Sequence, residues 1–179
     1  MKPWPRLPIR TPAERRWLIL PGALAALVLA MDQLTKLWFV RNFRLFETRS
    51  VVEGWLNFTY VRNEGAAWSM FHGHVWPLLI FGLLVALGIV IRFRKLAEGC
   101  PERYIALMLV LSGIVGNSID RCFRGAVVDF IHVHYYNVWH YPVFNVADMA
   151  ICCGIAVFIL SGLFRKPLKS ERRDENGDR

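Results

Sequence analysis

Four apolar blocks, each about as long as a bilayer is thick, constrain this chain more than any other feature. They run from about Trp17 to Val40, from Val75 to Ile91, from near Tyr104 until the sequence turns polar at Asn117, and from about Phe144 to Phe164. A helix rising about 1.5 Å per residue needs roughly 20 residues to cross the hydrocarbon. In lipid every backbone polar group has to be satisfied within the protein, which leaves helices or a closed barrel. Blocks of this length predict an all-α membrane protein with four transmembrane helices. At 179 residues the chain has room for one domain, 17–164, flanked by a basic tail at 1–16 and a charged tail at 165–179 that is expected to be disordered.

The formal charge of +8 would suit a nucleic-acid binder, but its distribution argues otherwise. The basic residues cluster at the ends of the apolar blocks, as in a membrane protein, so no nucleic-acid partner is expected. With both termini inside, the cytoplasmic side carries five Lys and Arg in the first tail, four in the middle loop (Arg92, Arg94, Lys95, Arg103) and six in the last tail. The two outer segments hold six: Arg41, Arg44, Arg49, Arg62, Arg121 and Arg124. Fifteen against six predicts N-in and C-in. The first block is too long for a cleaved leader and ends in Met31-Asp32-Gln33-Leu34-Thr35-Lys36, so it reads as a retained helix. Between the blocks, Leu56–Val61 alternates apolar and polar and predicts a short strand, while Val127–Val133 is rich in β-formers. The outer β segment is expected at about 41–74 and 122–143. Cys100, Cys122, Cys152 and Cys153 lack C-x-x-C spacing; Cys152 and Cys153, neighbours inside an apolar run, read as small hydrophobes.

Charges in lipid are costly, so three polar clusters need a reason. Asp32, Thr35 and Lys36 share one helical face, either as an ion pair snorkelling to the interface or as an anchor for the outer loops. Asn117, Asp120, Arg121 and Arg124 form a stripe on the third helix; an Asp120–Arg124 pair would close that helix but leaves Asn117 unexplained. Asn145 and Asp148 open the last helix, with no Lys or Arg until Arg165. An Asp at the mouth of a membrane helix needs a partner, and a second carboxylate serves if the two share one proton. Such a dyad can hydrolyse a peptide bond, one carboxylate activating water and the other protonating the carbonyl oxygen and the leaving amine. Spacing leaves both Asp120 and Asp129 open as the partner of Asp148. Local chemistry mildly favours Asp129, which has no charged residue within four positions, over Asp120 with its basic neighbours.

The strings Asp32-Gln33-Leu34-Thr35-Lys36, Asn63-Glu64-Gly65-Ala66-Ala67-Trp68-Ser69, Gly116-Asn117-Ser118-Ile119-Asp120-Arg121, Val127-Val128-Asp129-Phe130 and Pro142-Val143-Phe144-Asn145-Val146-Ala147-Asp148 occur in an order that resembles bacterial lipoprotein signal peptidase, signal peptidase II. The resemblance spans about Asp32 to Ile151. It implies an aspartic protease of the bacterial inner membrane, active near the outer face, with a small β-structure on the outer surface. The implied substrate is a prolipoprotein carrying diacylglycerol on the cysteine that follows the cut. Carried over by motif, the catalytic pair is Asp129 and Asp148; Asn63, Asn117, Arg121 and Asn145 line the site, and Asp120, Asp32 and Lys36 support it. No cofactor or metal is expected, and the chain is expected to act as a monomer among membrane lipids. Trp68 stands where the family more often has Phe.

Residues 132–141 fall outside this pattern, being rich in His and aromatic residues, and read as interface anchors. A metal-dependent hydrolase using His132, His134 and His140 is disfavoured because no H-E-x-x-H is present. A transporter is thin without an internal repeat, and a serine protease lacks a G-x-S-G context around Ser112.

Overall fold

The computed structural model describes residues 12–65, 73–136 and 138–164, with only the backbone for residues 12–18. Most of both tails, residues 66–72 with Trp68, and Asn137 lie outside the described residues. Four long helices are present: α1 (Pro12–Asn42), α2 (Val75–Ala97), α3 (Pro101–Arg124) and α4 (Val146–Phe164). Each contains a segment long and apolar enough to cross a membrane. Ile80, Phe81, Leu84 and Leu87 on α2, and Ile155, Ile159 and Leu163 on α4, are exposed. So large an apolar surface is stable against lipid rather than water.

The helix ends differ from the apolar blocks for local reasons. α2 runs on through Arg92, Arg94 and Lys95, because cations are favourable where the helix macrodipole leaves unpaired carbonyls. It stops where Glu98 (φ 48°) and Gly99 (φ 68°) turn left-handed. α3 starts at Pro101, which lacks the N–H that a first turn leaves unpaired. It continues through its polar stripe to Arg124 and closes at Gly125 (φ 71°). α3 is the most buried helix and contacts the other three. Against α4 it packs backbone to backbone: a Cβ on Gly154 would come within 2.6 Å of the Ala106 carbonyl oxygen, and one on Gly113 would strike that of Ala147. Small residues permit this approach where no hydrophobic effect separates helix from lipid.

One antiparallel sheet joins the helix ends in the order β1 (Thr48–Val52), β2 (Leu56–Asn63), β3 (Val127–Tyr135), β4 (Trp139–His140). β2 and β3 extend the two β-prone segments read from sequence. β1 falls within the outer β segment expected at about 41–74 but is not marked there as a separate strand; its Thr-Arg-Ser-Val-Val is exposed throughout, so no burial pattern singles it out. It forms by pairing with β2, with Thr48 opposite Thr59. Phe39 and Phe43 at the end of α1 pack with Tyr60, Val128 and Phe130 of the sheet. Phe39 stacks on Phe130 with ring centroids 4.2 Å apart. That stack fixes β3 over the helix ends and so places Asp129.

Candidate active site

The site is assembled where β3 leaves α3 and where α4 begins. Asn145 caps α4 by a reciprocal pair of bonds: its side-chain Oδ1 accepts from the Asp148 N–H at 2.9 Å, and Asp148 Oδ2 accepts from the Asn145 N–H at 3.1 Å. This is a capping box with Asn and Asp in place of Ser and Glu. The same Asn145 donates through Nδ2 to Asp129 Oδ1 at 2.6 Å. One residue therefore touches both carboxylates. Their other oxygens are held as well: Asn63 Nδ2 donates to Asp129 Oδ2 at 3.0 Å, and Asn117 Nδ2 to Asp148 Oδ1 at 2.8 Å. Burial, and next the charge of Asp148, push the Asp129 carboxyl up to about 7, against the opposing pull of the Asn63 and Asn145 amides.

Behind these residues runs a buried ion network. Lys36 Nζ lies 2.9 Å from both Asp32 Oδ2 and Asp120 Oδ2 and donates to Asn117 Oδ1 at 2.9 Å. Its side chain is 0% exposed, so the alternative of a snorkelling pair is corrected. A single ammonium between two carboxylates inside the bundle has no reason to reach for the interface. Asp120 also pairs with Arg124, as the helix-closing alternative required, and accepts from the Val128 N–H at 3.1 Å. Asp120 thereby ties α3 to the strand residue just before Asp129. Asp32 Oδ1 accepts from the Ala147 N–H at 2.9 Å, adding a second cap to α4 from another helix. Asn117, unexplained by an Asp120–Arg124 pair, is the link between Lys36, Asp148 and Asn145. Arg121 donates to the Gly65 carbonyl oxygen at 3.2 Å and holds the segment that follows Asn63.

Sequence reasoning overlooked Gln33, whose amide donates to Asp32 and to the Gly116 carbonyl while its oxygen accepts from Arg124. The signal was its place beside Asp32, Thr35 and Lys36 at the end of a helix that is apolar before them. In the His-rich segment, read as interface anchors, Tyr135, Tyr136, Trp139 and Tyr141 are exposed, and His132, His134 and His140 gather with ring centroids 5.3–5.6 Å apart. Burial, then repulsion from its two neighbours, holds His132 below the ordinary imidazole range.

Comparison with known proteins agrees with this architecture. Residues 24–164 match the family described as Signal peptidase (SPase) II. A lipoprotein signal peptidase of Chromobacterium violaceum is 43% identical over 151 residues, covering 81% of this chain and 91% of the relative. One of Bacillus pumilus is 39% identical over 140 residues, covering 78% and 90%. A bacterial membrane enzyme solved at 2.3 Å superposes with a TM-score of 0.73 at 29% identity, over 90% of this chain and 94% of its own. A second, solved at 1.9 Å, gives 0.71 at 32% identity, over 83% and 94%. With a family match over nearly the whole helical bundle and a shared fold, the chain belongs to the signal peptidase II family, the multi-pass membrane proteases of bacteria.

Proposed function

We propose that this chain is an aspartic endopeptidase that removes the signal peptide from diacylglyceryl-modified prolipoproteins, cutting before the lipidated cysteine. The name of its relatives, lipoprotein signal peptidase, supports the substrate. The observation that carries the chemistry is Asn145 reaching both Asp129 and Asp148. Two carboxylates in one buried network share a proton rather than both ionise. The ionised member takes a proton from water as its oxygen attacks the scissile carbonyl carbon, and the protonated member donates to the carbonyl oxygen. On collapse of the tetrahedral intermediate the C–N bond breaks, the carboxyl that took the water proton gives it to the leaving amine, and the proton on the former carbonyl oxygen returns to the other carboxylate, so the dyad again holds one proton. Asn63, Asn117 and Asn145 orient the carboxyl oxygens, and Arg121 holds the chain that flanks the substrate. Asp32, Lys36 and Asp120 form the supporting ion network. No metal or cofactor enters the scheme.

The excess of Lys and Arg beyond the opposite helix ends supports an N-in, C-in topology. Residues 1–16 and 165–179 are then cytoplasmic tails, and the sheet and dyad lie at the outer face of the inner membrane. The enzyme works as a monomer surrounded by lipid, with no nucleic-acid partner.

The test is purified enzyme in detergent with a diacylglyceryl precursor and its unlipidated twin. Cleavage is expected of the first alone. Asp129→Asn and Asp148→Asn are each expected to lower turnover at least about a thousandfold while retaining a cooperative thermal transition. Substantial turnover by either folded variant would overturn the dyad, and equal cutting of both precursors would overturn the substrate.

A further inference from the structure

We propose that the cleft at the end of α1 binds the phosphate of an anionic phospholipid in the headgroup layer, at a site that shares no residue with the dyad or its supports. The cleft has a volume of about 740 Å3, and its lining includes Arg41, Arg44 and Arg49 together with Leu45, Phe46 and Glu47. That volume lies within the roughly 300–1,000 Å3 of small-molecule sites. The segment of α1 able to span a membrane ends at Asn42, so the cleft begins where hydrocarbon gives way to headgroups. Trp38, one turn earlier, is exposed, as suits an aromatic residue at that boundary.

Three of the six arginines between the spans serve the fold elsewhere. Arg62 donates to the Arg124 carbonyl oxygen, Arg121 to that of Gly65, and Arg124 pairs with Asp120. Arg49 is pinned: it lies 4.1 Å over the Phe43 ring, pairs with Glu47 at 2.8 Å and donates to the Asn42 carbonyl oxygen at 3.0 Å. Glu47 also accepts from the Arg44 N–H at 2.7 Å, so its charge is matched within the loop. That leaves Arg41 and Arg44, both exposed, whose side chains make no hydrogen bond or ion pair among the described residues. Two unmatched guanidinium groups lining one cleft suit a phosphate, whose oxygens accept paired N–H bonds from such forks. Leu45 and Phe46 supply the apolar half of the site. Phe46 is 69% exposed and sits in the left-handed region at φ 65°, its N–H donating to the Tyr60 carbonyl oxygen at 2.8 Å. A bulky residue is strained there, and the strain holds an apolar ring outward beside the cations. An amphiphile with an anionic head satisfies both halves. A zwitterionic head would bring its own ammonium against the guanidinium pair.

The experiment titrates delipidated full-length protein in neutral detergent with dioleoyl-phosphatidylglycerol and with dioleoyl-phosphatidylethanolamine, read by native mass spectrometry. The first phosphatidylglycerol is expected to bind at least about fivefold more tightly than the zwitterionic lipid. The double variant Arg41→Gln, Arg44→Gln is expected to lose that preference while keeping the parent Tm, since neither side chain has a partner to lose. Removing equal charge from the end of α2, with Arg92→Gln and Arg94→Gln, is expected to leave the preference intact. An excess of inorganic phosphate, which lacks acyl chains, is expected not to displace the lipid. Equal affinity for the two lipids, or a preference that survives in the Arg41, Arg44 variant, would overturn the site. So would a preference lost equally in the α2 variant, and displacement by inorganic phosphate would overturn the lipid as its occupant.

Discussion

Asp129 combines almost complete burial with hydrogen bonds that favour its ionised form, and burial wins. A carboxyl raised from 3.8 to about 7 gives a definite sign to the pH dependence of stability. Near pH 3 the group is protonated both folded and unfolded and contributes nothing. Between about pH 4 and pH 7 the unfolded chain ionises it freely while the folded protein keeps the proton, so stability declines through that window. A rise of about three units, at about 1.4 kcal/mol each, is a loss of roughly 4 kcal/mol that stays level above pH 7. Asp129→Asn removes the titration. Its Tm relative to the parent is therefore expected to rise between pH 5 and pH 8, as read by thermal melts in detergent. A relative Tm flat with pH would contradict the raised carboxyl. On the proposed mechanism the same proton is needed for catalysis: kcat/KM is expected to fall about tenfold per pH unit above about 7, as the shared proton is lost.

At the scale of elements, the contact between α3 and α4 sets where Asp148 stands. Gly154 meets the Ala106 carbonyl and Val110, whereas a Cβ on Gly88 of α2 would meet nothing within 4 Å. Gly154→Ala is expected to cost about 1–3 kcal/mol by forcing the two backbones apart. Gly88→Ala should be neutral or stabilise by up to about 1 kcal/mol, through helix propensity. Equal melting shifts for the two variants would contradict the tight crossing. The four helices were legible because lipid imposes length and apolarity on each span. Their ends were not, since Arg94 and Lys95 look like a stop but suit a helix C-terminus. Within the expected outer β segment, β1 was not legible as an individual strand because it is stabilised by cross-strand bonds to β2 rather than by a buried face. At the site, Asp148 and Asn145 stood out as polar residues at the mouth of an apolar run, whereas the residues only mildly favoured Asp129 over Asp120 and the family resemblance made the choice. What spacing could not supply was the three-dimensional closure, in which Lys36 from α1 meets Asp120 and Asn117 from α3.

For the whole molecule, the sheet and dyad sit at one end of the bundle and the α2–α3 turn at the other. Glu53 in the β1–β2 turn and Glu98 after α2 are both exposed. In a background without the native cysteines, Glu53→Cys is expected to react with a membrane-impermeant maleimide in right-side-out vesicles. Glu98→Cys should react only in inverted ones; the reverse pattern would overturn the N-in, C-in topology.

Asn145 starts α4 and also grips both acids. Setting the last helix on β3 and setting the proposed dyad are therefore one event. On the proposed mechanism, a newly inserted chain whose fourth span has not docked holds Asp129 and Asp148 apart and is expected to be inert toward its neighbours in the bilayer.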